Sequence, residues 1–446
     1  MWVAILGLSF VACSSKNNAP NPDRLSRAEL MDPASCEECH PNHVREWSGS
    51  MHAYAGEDPV FRALNARGQR ETDGALGDFC VNCHAPMAVR EGLTTDGLNL
   101  DEVPQQMQGV TCYFCHSVDA VEGDHNNPLR LSDDLVMRGG YRDPAPNAGH
   151  ESAYSALHDR NDLQSATLCG SCHDIVTPKG THIERTFAEW KASLFAKPEL
   201  GEPQSCGNCH MRGRDDVAAE HEGVFLRRVH DHSMPGVDIA LTDWPERDAQ
   251  RELVQASLNP TVLPELCVYP EMGRIVVNLE NIAAGHSFPS GSAPDRRTWV
   301  EVVGYLGGDV VFESGVLAAD ESVAAAAAVD PQLWWMGDRL LDDAGEPTHF
   351  FWEAADYTSD LLPGPVARSP LDPGYVDPHV AREITDVPFV DRVTMRIHIR
   401  PVGIDILQDL VDSGDLDAAI VAEMPTFTLS ASNLDWSGAD GRDCIP

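Results

Sequence analysis

Apolar and polar positions set the C-terminal part of the chain apart from the rest. Residues 275–279 (Ile-Val-Val-Asn-Leu), 299–305 (Trp-Val-Glu-Val-Val-Gly-Tyr) and 393–399 (Val-Thr-Met-Arg-Ile-His-Ile) have strand composition, two of them with clear period-two alternation. Residues 310–312 and 426–429 add two shorter candidates, residues 404–411 read as one short helix, and residues 324–328 are a low-complexity alanine run. Several short strands separated by Gly and Pro predict a β-sandwich-like domain over residues 255–446. Before about residue 250 long periodic runs are scarce, and Gly, Pro, Asn and Asp abound. Short helices and loops are expected there, with residues 119–147 as a long surface excursion. The fold class expected is therefore α+β and multidomain.

One short echo interrupts that pattern. Residues 46–53 (Glu-Trp-Ser-Gly-Ser-Met-His-Ala) resemble residues 189–196 (Glu-Trp-Lys-Ala-Ser-Leu-Phe-Ala), both as short amphipathic helical stretches. His52 of the first is replaced by Phe195 in the second, so only the first offers an imidazole.

Charge narrows the function classes. Asp and Glu number 70 against 32 Lys and Arg, a formal charge of −38 over 446 residues. A nucleic-acid partner needs the opposite balance and is excluded. A protein partner drawn by this field is basic. A conspicuous basic pair is Arg296-Arg297. No stretch is long and apolar enough to span a bilayer.

The N-terminal residues 1–13 read as an export signal. Residues 2–12 are short and apolar and run through Phe10-Val11-Ala12 into Cys13, like the lipobox of a bacterial lipoprotein, although no Lys or Arg precedes them. Lipid anchoring through Cys13, at the periplasmic or outer face of the outer membrane, is one outcome and an ordinary cleaved secretory signal the other. Both export the mature chain. Residues 14–34 follow as a tether.

The cysteines decide the chemistry. Ten of the 13 fall into five copies of one pattern, each ending in histidine. These are Cys36-Glu-Glu-Cys39-His40, Cys80-Val-Asn-Cys83-His84, Cys112-Tyr-Phe-Cys115-His116, Cys169-Gly-Ser-Cys172-His173 and Cys206-Gly-Asn-Cys209-His210. CxxCH is the attachment motif of c-type haem: two thiols one helical turn apart add to two vinyl groups, and the next histidine falls under the iron. Zinc or disulfide use of CxxC gives no reason for a histidine after every copy. Five c-type haems over residues 35–250 are expected, on His40, His84, His116, His173 and His210 as proximal ligands. Cys267 and Cys444 are left over and, in an oxidising compartment, are candidates to pair with each other.

An iron that only carries electrons needs a sixth ligand. Thirteen further histidines are available. His52 lies on the first helix of the echo, His150 and His158 precede Cys169, His232 stands with His230 before Pro235-Gly236, and His286 sits in a Gly-His-Ser-Phe-Pro turn of the second domain. His125 and His182 are possible replacements. Met51, Met107, Met211 and Met234 are alternative axial ligands, and methionine ligation raises the potential.

These residues give the chain a family likeness. It resembles the bacterial multihaem cytochromes c related to hydroxylamine oxidoreductase and to the tetrahaem cytochrome that accepts its electrons. The matching stretches are Glu46-Trp47 through His52-Ala53, Gly109 through His116, His150 through Ser155, Cys169 through Asp174, Glu189-Trp190 and His232 through Gly236. The tail resembles that of many exported cytochromes through Gly285 to Gly291, Arg296 through Val300 and Phe312 through Gly315. The resemblance implies closely packed, mostly bis-histidine haems forming an electron wire. It favours His52, His150, His232 and His286 as distal ligands, with His158 close behind. Enzymes of the group keep one open haem, often on CxxCK, and no CxxCK is present. The expected function is electron relay between redox proteins, basic ones or other cytochromes. The alternative is oxidoreduction of a small nitrogen or sulfur compound at one five-coordinate haem.

Overall fold

The computed structural model describes residues 24–446 apart from 202, 368, 370, 373–374 and 376–378. The signal segment and Cys13 lie outside the described residues. The chain is mixed α+β. The part that carries the CxxCH motifs is built of short helices and two-stranded ladders, and the C-terminal part is rich in antiparallel sheet.

Proline and small polar caps keep the N-terminal helices short. Pro41–Ser48, Pro59–Glu71 and Pro86–Arg90 each begin on a proline, whose missing N–H costs nothing in the first turn. Pro59–Glu71, at 13 residues, is the longest of them and is capped by Asp58, which accepts from Val60 N at 2.9 Å. Val60 and Ala63 from this helix meet Leu407 and Leu410 of helix Ile404–Asp412 and Phe350 and Trp352, so one apolar cluster joins the two parts of the chain. Residues 119–147, expected as surface excursion, carry three short strands. Of these, Val136–Gly139 pairs in parallel with Glu151–Tyr154.

In the C-terminal part alternation translates directly into burial. Strand Arg274–Asn281 buries every second residue, Ile275, Val277, Leu279 and Asn281. It lies between Val262–Tyr269 and His379–Ile384, and Cys444–Ile445 extends that sheet beside Val262–Tyr269. A second sheet runs Asp309–Ser314, Arg297–Leu306, Arg392–Arg400 and Phe427–Thr428, with Trp334–Met336 and Leu434–Ser437 paired at its sides. Residues from both sheets, such as Val277 and Leu279 with Val302 and Ile397, share one apolar core. Cys267 and Cys444 form a disulfide that ties the last strand to this core. The alanine run is a helix, Val323–Val329, capped by Ser322.

Candidate functional site

Each CxxCH motif folds as a single turn, so that its two thiols project on the same side and the histidine closes the turn. The amides of His40, His84 and His173 each bond the carbonyl of the first cysteine of their motif, at 2.8, 3.3 and 3.1 Å. Thr111 caps the turn Cys112–His116, and Ser205 caps Cys206–His210 in a reciprocal box with Asn208. None of the ten motif cysteines is in a disulfide. Thiols of different motifs come within interaction range of one another: Cys36 with Cys112, Cys83 with Cys172, and Cys169 with Cys206.

Four motif histidines are oriented by a backbone carbonyl. Nδ1 of His40, His84, His116 and His210 bonds the carbonyls of Ala218, Ala55, Arg138 and Pro235, at 2.7, 3.2, 2.5 and 2.7 Å. A carbonyl at Nδ1 fixes the tautomer with Nε2 bare, the arrangement that a metal-bound imidazole requires. Burial holds His52, His84 and His173 down to about 4, so they are neutral at pH 7, the ligating form.

Opposite four of the five motif histidines stands a second imidazole. His40 faces His150 with ring centroids 6.2 Å apart, His173 faces His52 at 6.2 Å, His116 faces His232 at 6.3 Å and His210 faces His286 at 6.4 Å. Two imidazoles on opposite sides of one metal, each bonded at about 2 Å, hold their centroids roughly 6 Å apart. The residues therefore fit an iron porphyrin between each pair. Among the described residues no histidine ring takes this place opposite His84. Phe61 lies flat on its imidazole instead, 4.0 Å away and 2° from parallel.

Two further histidines also come close to motif histidines. His158 is nearer to His116, at 5.5 Å, but its Nε2 bonds the Cys115 carbonyl at 2.8 Å and its Nδ1 is buried without a partner. His43 packs edge-on both to His232 at 4.7 Å and to the motif histidine His40 at 6.0 Å, whereas His150 lies within 23° of parallel to His40. His125 and His182 lie 6.3 Å from each other, and neither has a ring contact with a motif histidine.

The sequence echo is a structural repeat whose purpose the sequence did not disclose. Trp47 donates through Nε1 to the Val110 carbonyl, and Trp190 to that of Gln204, both at 2.8 Å and both two residues before a motif cysteine. Ser50 and Ser193 close the turn on the tryptophan carbonyl in each copy. The buried Glu46 accepts the backbone N–H of His232 at 3.0 Å and pairs with Arg214. Glu189 accepts the N–H of Ser287 at 3.1 Å and the hydroxyl of Ser290 at 2.7 Å. Each copy thus anchors the approach to one motif turn and, through its glutamate, the loop that brings the facing histidine. Gly285, at φ 74°, turns the second loop toward the motif region.

Residues 35–117 match the family described as cytochrome c554 and c-prime. A stretch of 190 residues, 39% of this chain, is 26% identical to the dissimilatory sulfite reductase MccA of Wolinella succinogenes. The match spans only 24% of that protein's length. The penta-heme cytochrome c552 from Thermochromatium tepidum superimposes with a TM-score of 0.58 and 20% identity, over 93% of this chain and 99% of that one. Its fold is shared. Motif turns that fit haem, within this fold and with this family match, identify the chain as a multihaem c-type cytochrome.

Proposed function

We propose that the chain holds five c-type haems, one on each CxxCH, and relays electrons outside the cytoplasm. The four facing histidine pairs carry this reading, because two imidazoles on one iron leave no site for a substrate. When bound, such haems supply reversible one-electron centres. The chain's own part is to orient and to bury. Carbonyls fix Nδ1 of four proximal histidines, and half-buried imidazoles whose pKa values desolvation lowers stand at the distal positions. The thiol neighbours support an order that runs from the Cys36 motif through the Cys112 motif to the Cys169 motif. The Cys206 motif and the Cys80 motif each join at the Cys169 motif, whose thiols interact with Cys206, Cys83 and Cys115.

The partner in this reading is a basic redox protein or another cytochrome. Exposed Glu37 and Glu38 flank the exposed Cys39 and suit such a partner. Anchoring through a lipidated Cys13 and a β-sandwich reading of the two C-terminal sheets belong to the same proposal. The shared core between the sheets supports the latter.

A second reading is favoured by one observation, that no histidine among the described residues faces His84. That haem is then five-coordinate and able to bind a small molecule. Haem quantification and electron paramagnetic resonance of the purified protein test both readings. Five haems with four low-spin signals to one high-spin signal are expected. Fewer than four low-spin centres overturns the relay assignment, and five removes the second reading.

A further inference from the structure

Of the ten motif cysteines, Cys39 and Cys209 are exposed and the other eight are half-buried. A haem bonded to an exposed cysteine brings that edge within reach of a partner. In the order read from the thiol neighbours, the Cys36 motif stands at one end and the Cys206 motif at another. One hairpin connects the two places. Its strands Gly213–Val217 and Leu226–His230 start and finish beside the Cys206 turn, where the Asp231 N–H bonds the Arg212 carbonyl at 3.2 Å. Its far end reaches the Cys36 turn. Nδ1 of His40 bonds the Ala218 carbonyl at 2.7 Å, and the Glu220 N–H bonds the Cys39 carbonyl at 2.8 Å. Five residues of strand, at about 3.4 Å each, hold the two ends roughly 17 Å apart.

The charges at the two ends differ in sign. Around Cys39 stand Glu37, Glu38, Glu220 and Glu222, all exposed, and residues 33–44 and 217–224 contain no lysine or arginine. Around Cys209 stand three arginines, and residues 203–213 contain no carboxylate. Arg160 donates through Nη1 to the Met211 carbonyl at 2.8 Å. Its own carbonyl accepts the hydroxyl of Ser205, the cap of the Cys206 turn, at 2.6 Å. Arg212 follows the motif and is exposed. Arg228 reaches over from the partner strand, and Gly213 leaves room for it. A side chain at Gly213 would begin 2.7 Å from Arg228 Nε and 3.0 Å from Arg160 Nη1. Among the described residues no carboxylate pairs with Arg160 or Arg212, and Arg228 has only the exposed Asp215 at 4.0 Å. The neighbouring Arg227 is matched by Asp143 at 2.8 Å, and Asp159 is engaged by Tyr154 and the Asn161 N–H. The adjacent pair Arg296 and Arg297, by contrast, is buried, and Asp238 and Asp405 match it.

We infer that the Cys209 end is a second docking surface, fitted to an acidic redox protein, while the Cys39 end takes a basic one. The inference rests on the relay reading. At about 0.1 M ionic strength, charges farther apart than about 10 Å are largely screened from one another. A partner at either end therefore meets the local charge rather than the net charge of the chain. Arginines without a carboxylate partner at the rim of an exposed redox centre speed encounter with an acidic surface and fix its orientation. The step is the passage of one electron. The reduced centre of the partner is oxidised as a ferric haem becomes ferrous, and no bond is made or broken. Ends of opposite charge keep electron source and electron sink from competing for one surface.

The test uses the intact haem-loaded protein, an acidic plant-type ferredoxin and a basic cytochrome c. Calorimetry gives the affinity of the oxidised ferredoxin, and stopped-flow absorbance follows reduction of the haems by the prereduced one. Wild-type affinity and rate are both expected to fall as ionic strength rises above about 0.1 M. Arg212→Glu with Arg228→Glu, both at exposed positions, is expected to lower ferredoxin affinity about ten-fold or more and the rate with it, while electron transfer to cytochrome c does not fall. Arg212→Gln with Arg228→Gln should act in the same direction and more weakly. An unchanged haem spectrum verifies that each variant is folded. Ferredoxin affinity that rises with salt in the wild type, or that is unmoved in both folded variants, overturns the acidic partner. A wild type that exchanges electrons with neither protein overturns the relay reading beneath it.

Discussion

Glu46 and Glu189 hold equivalent places in two copies of one structural unit, and each receives a backbone N–H from the segment that brings a histidine to face a CxxCH turn. A carboxylate buried for this purpose is a positioning group. Its charge strengthens the hydrogen bond, and its own desolvation is met by Arg214 in one copy and by Ser290 in the other. Replacing Glu189 with alanine is expected to loosen the His286 loop and convert the His210 haem partly to high spin. Glu46→Ala should act in the same way on the His116 haem. A new high-spin signal in each variant, with the remaining haems unchanged, is the measurement. Loss of stability with no change of spin state would reduce both residues to structural roles.

His232 and His158 compete on paper for the iron at His116. The ring of His158 is closer, but its Nε2 is engaged by the Cys115 carbonyl, whereas Nδ1 of His232 bonds the His230 carbonyl at 3.1 Å and leaves Nε2 bare. His232→Ala is therefore expected to turn one low-spin haem high-spin, and His158→Ala to leave all low-spin signals in place. The opposite result would assign His158 as the ligand and His232 as its neighbour.

Much of this was legible in the residues, and the reason differs from case to case. CxxCH is a local motif, so its turn and its chemistry need no tertiary information. Alternation at residues 393–399 sets burial because a half-buried strand has period two. His286 announced itself through the Gly and Pro of its turn. Which histidine faces which motif was not legible, because facing pairs such as His116 and His232 come from segments far apart in the chain. The surplus of histidines hid that none among the described residues faces His84, since composition counts ligands and cannot place them. The echo of Glu46-Trp47 in Glu189-Trp190 was visible, yet its use depends on N–H groups supplied by remote loops. Helix Pro59–Glu71 went unread because Arg, Asn and Gly dilute its periodicity, and its apolar face is completed by Leu407 and Trp352 from the other end of the chain.

The disulfide should support the sheet region and leave the haem sites alone. Cys267 and Cys444 are 177 residues apart, so the link restricts a long loop of the unfolded chain. Such a cross-link contributes about 2–4 kcal/mol. Reduction, or Cys267→Ser with Cys444→Ser, is expected to lower the melting temperature followed by far-ultraviolet circular dichroism, with the haem absorption of the folded protein unchanged. A spectrum altered before any unfolding would show that the sheet region shapes the haem sites through this bond.

Asp338 offers a pH test in the sheet region. Burial, and behind it the charge of Glu189, pushes this carboxyl up to about 6 against the pull of Ser359, and its Oδ1 has no hydrogen-bond partner. In the unfolded chain an aspartate titrates near about 3.9. The folded state therefore binds the proton more tightly, and between these two values it carries more proton than the unfolded state. Stability contributed by the neutral carboxyl is full below the lower value and falls as pH rises to the upper one. Above it the folded protein bears an ionised, poorly solvated carboxylate. Asp338→Asn removes that penalty while keeping the shape. The variant is expected to be more stable than the wild type at pH 7 by about 2–3 kcal/mol, because each ten-fold difference in proton affinity between the folded and unfolded chains is worth about 1.4 kcal/mol. The advantage should shrink as the pH falls through about 6 and vanish near about pH 4. Denaturant titrations of both proteins across that range check it. A constant difference at every pH would mean that the asparagine acts through packing or a new hydrogen bond, and that the wild-type carboxyl is not held neutral by its surroundings.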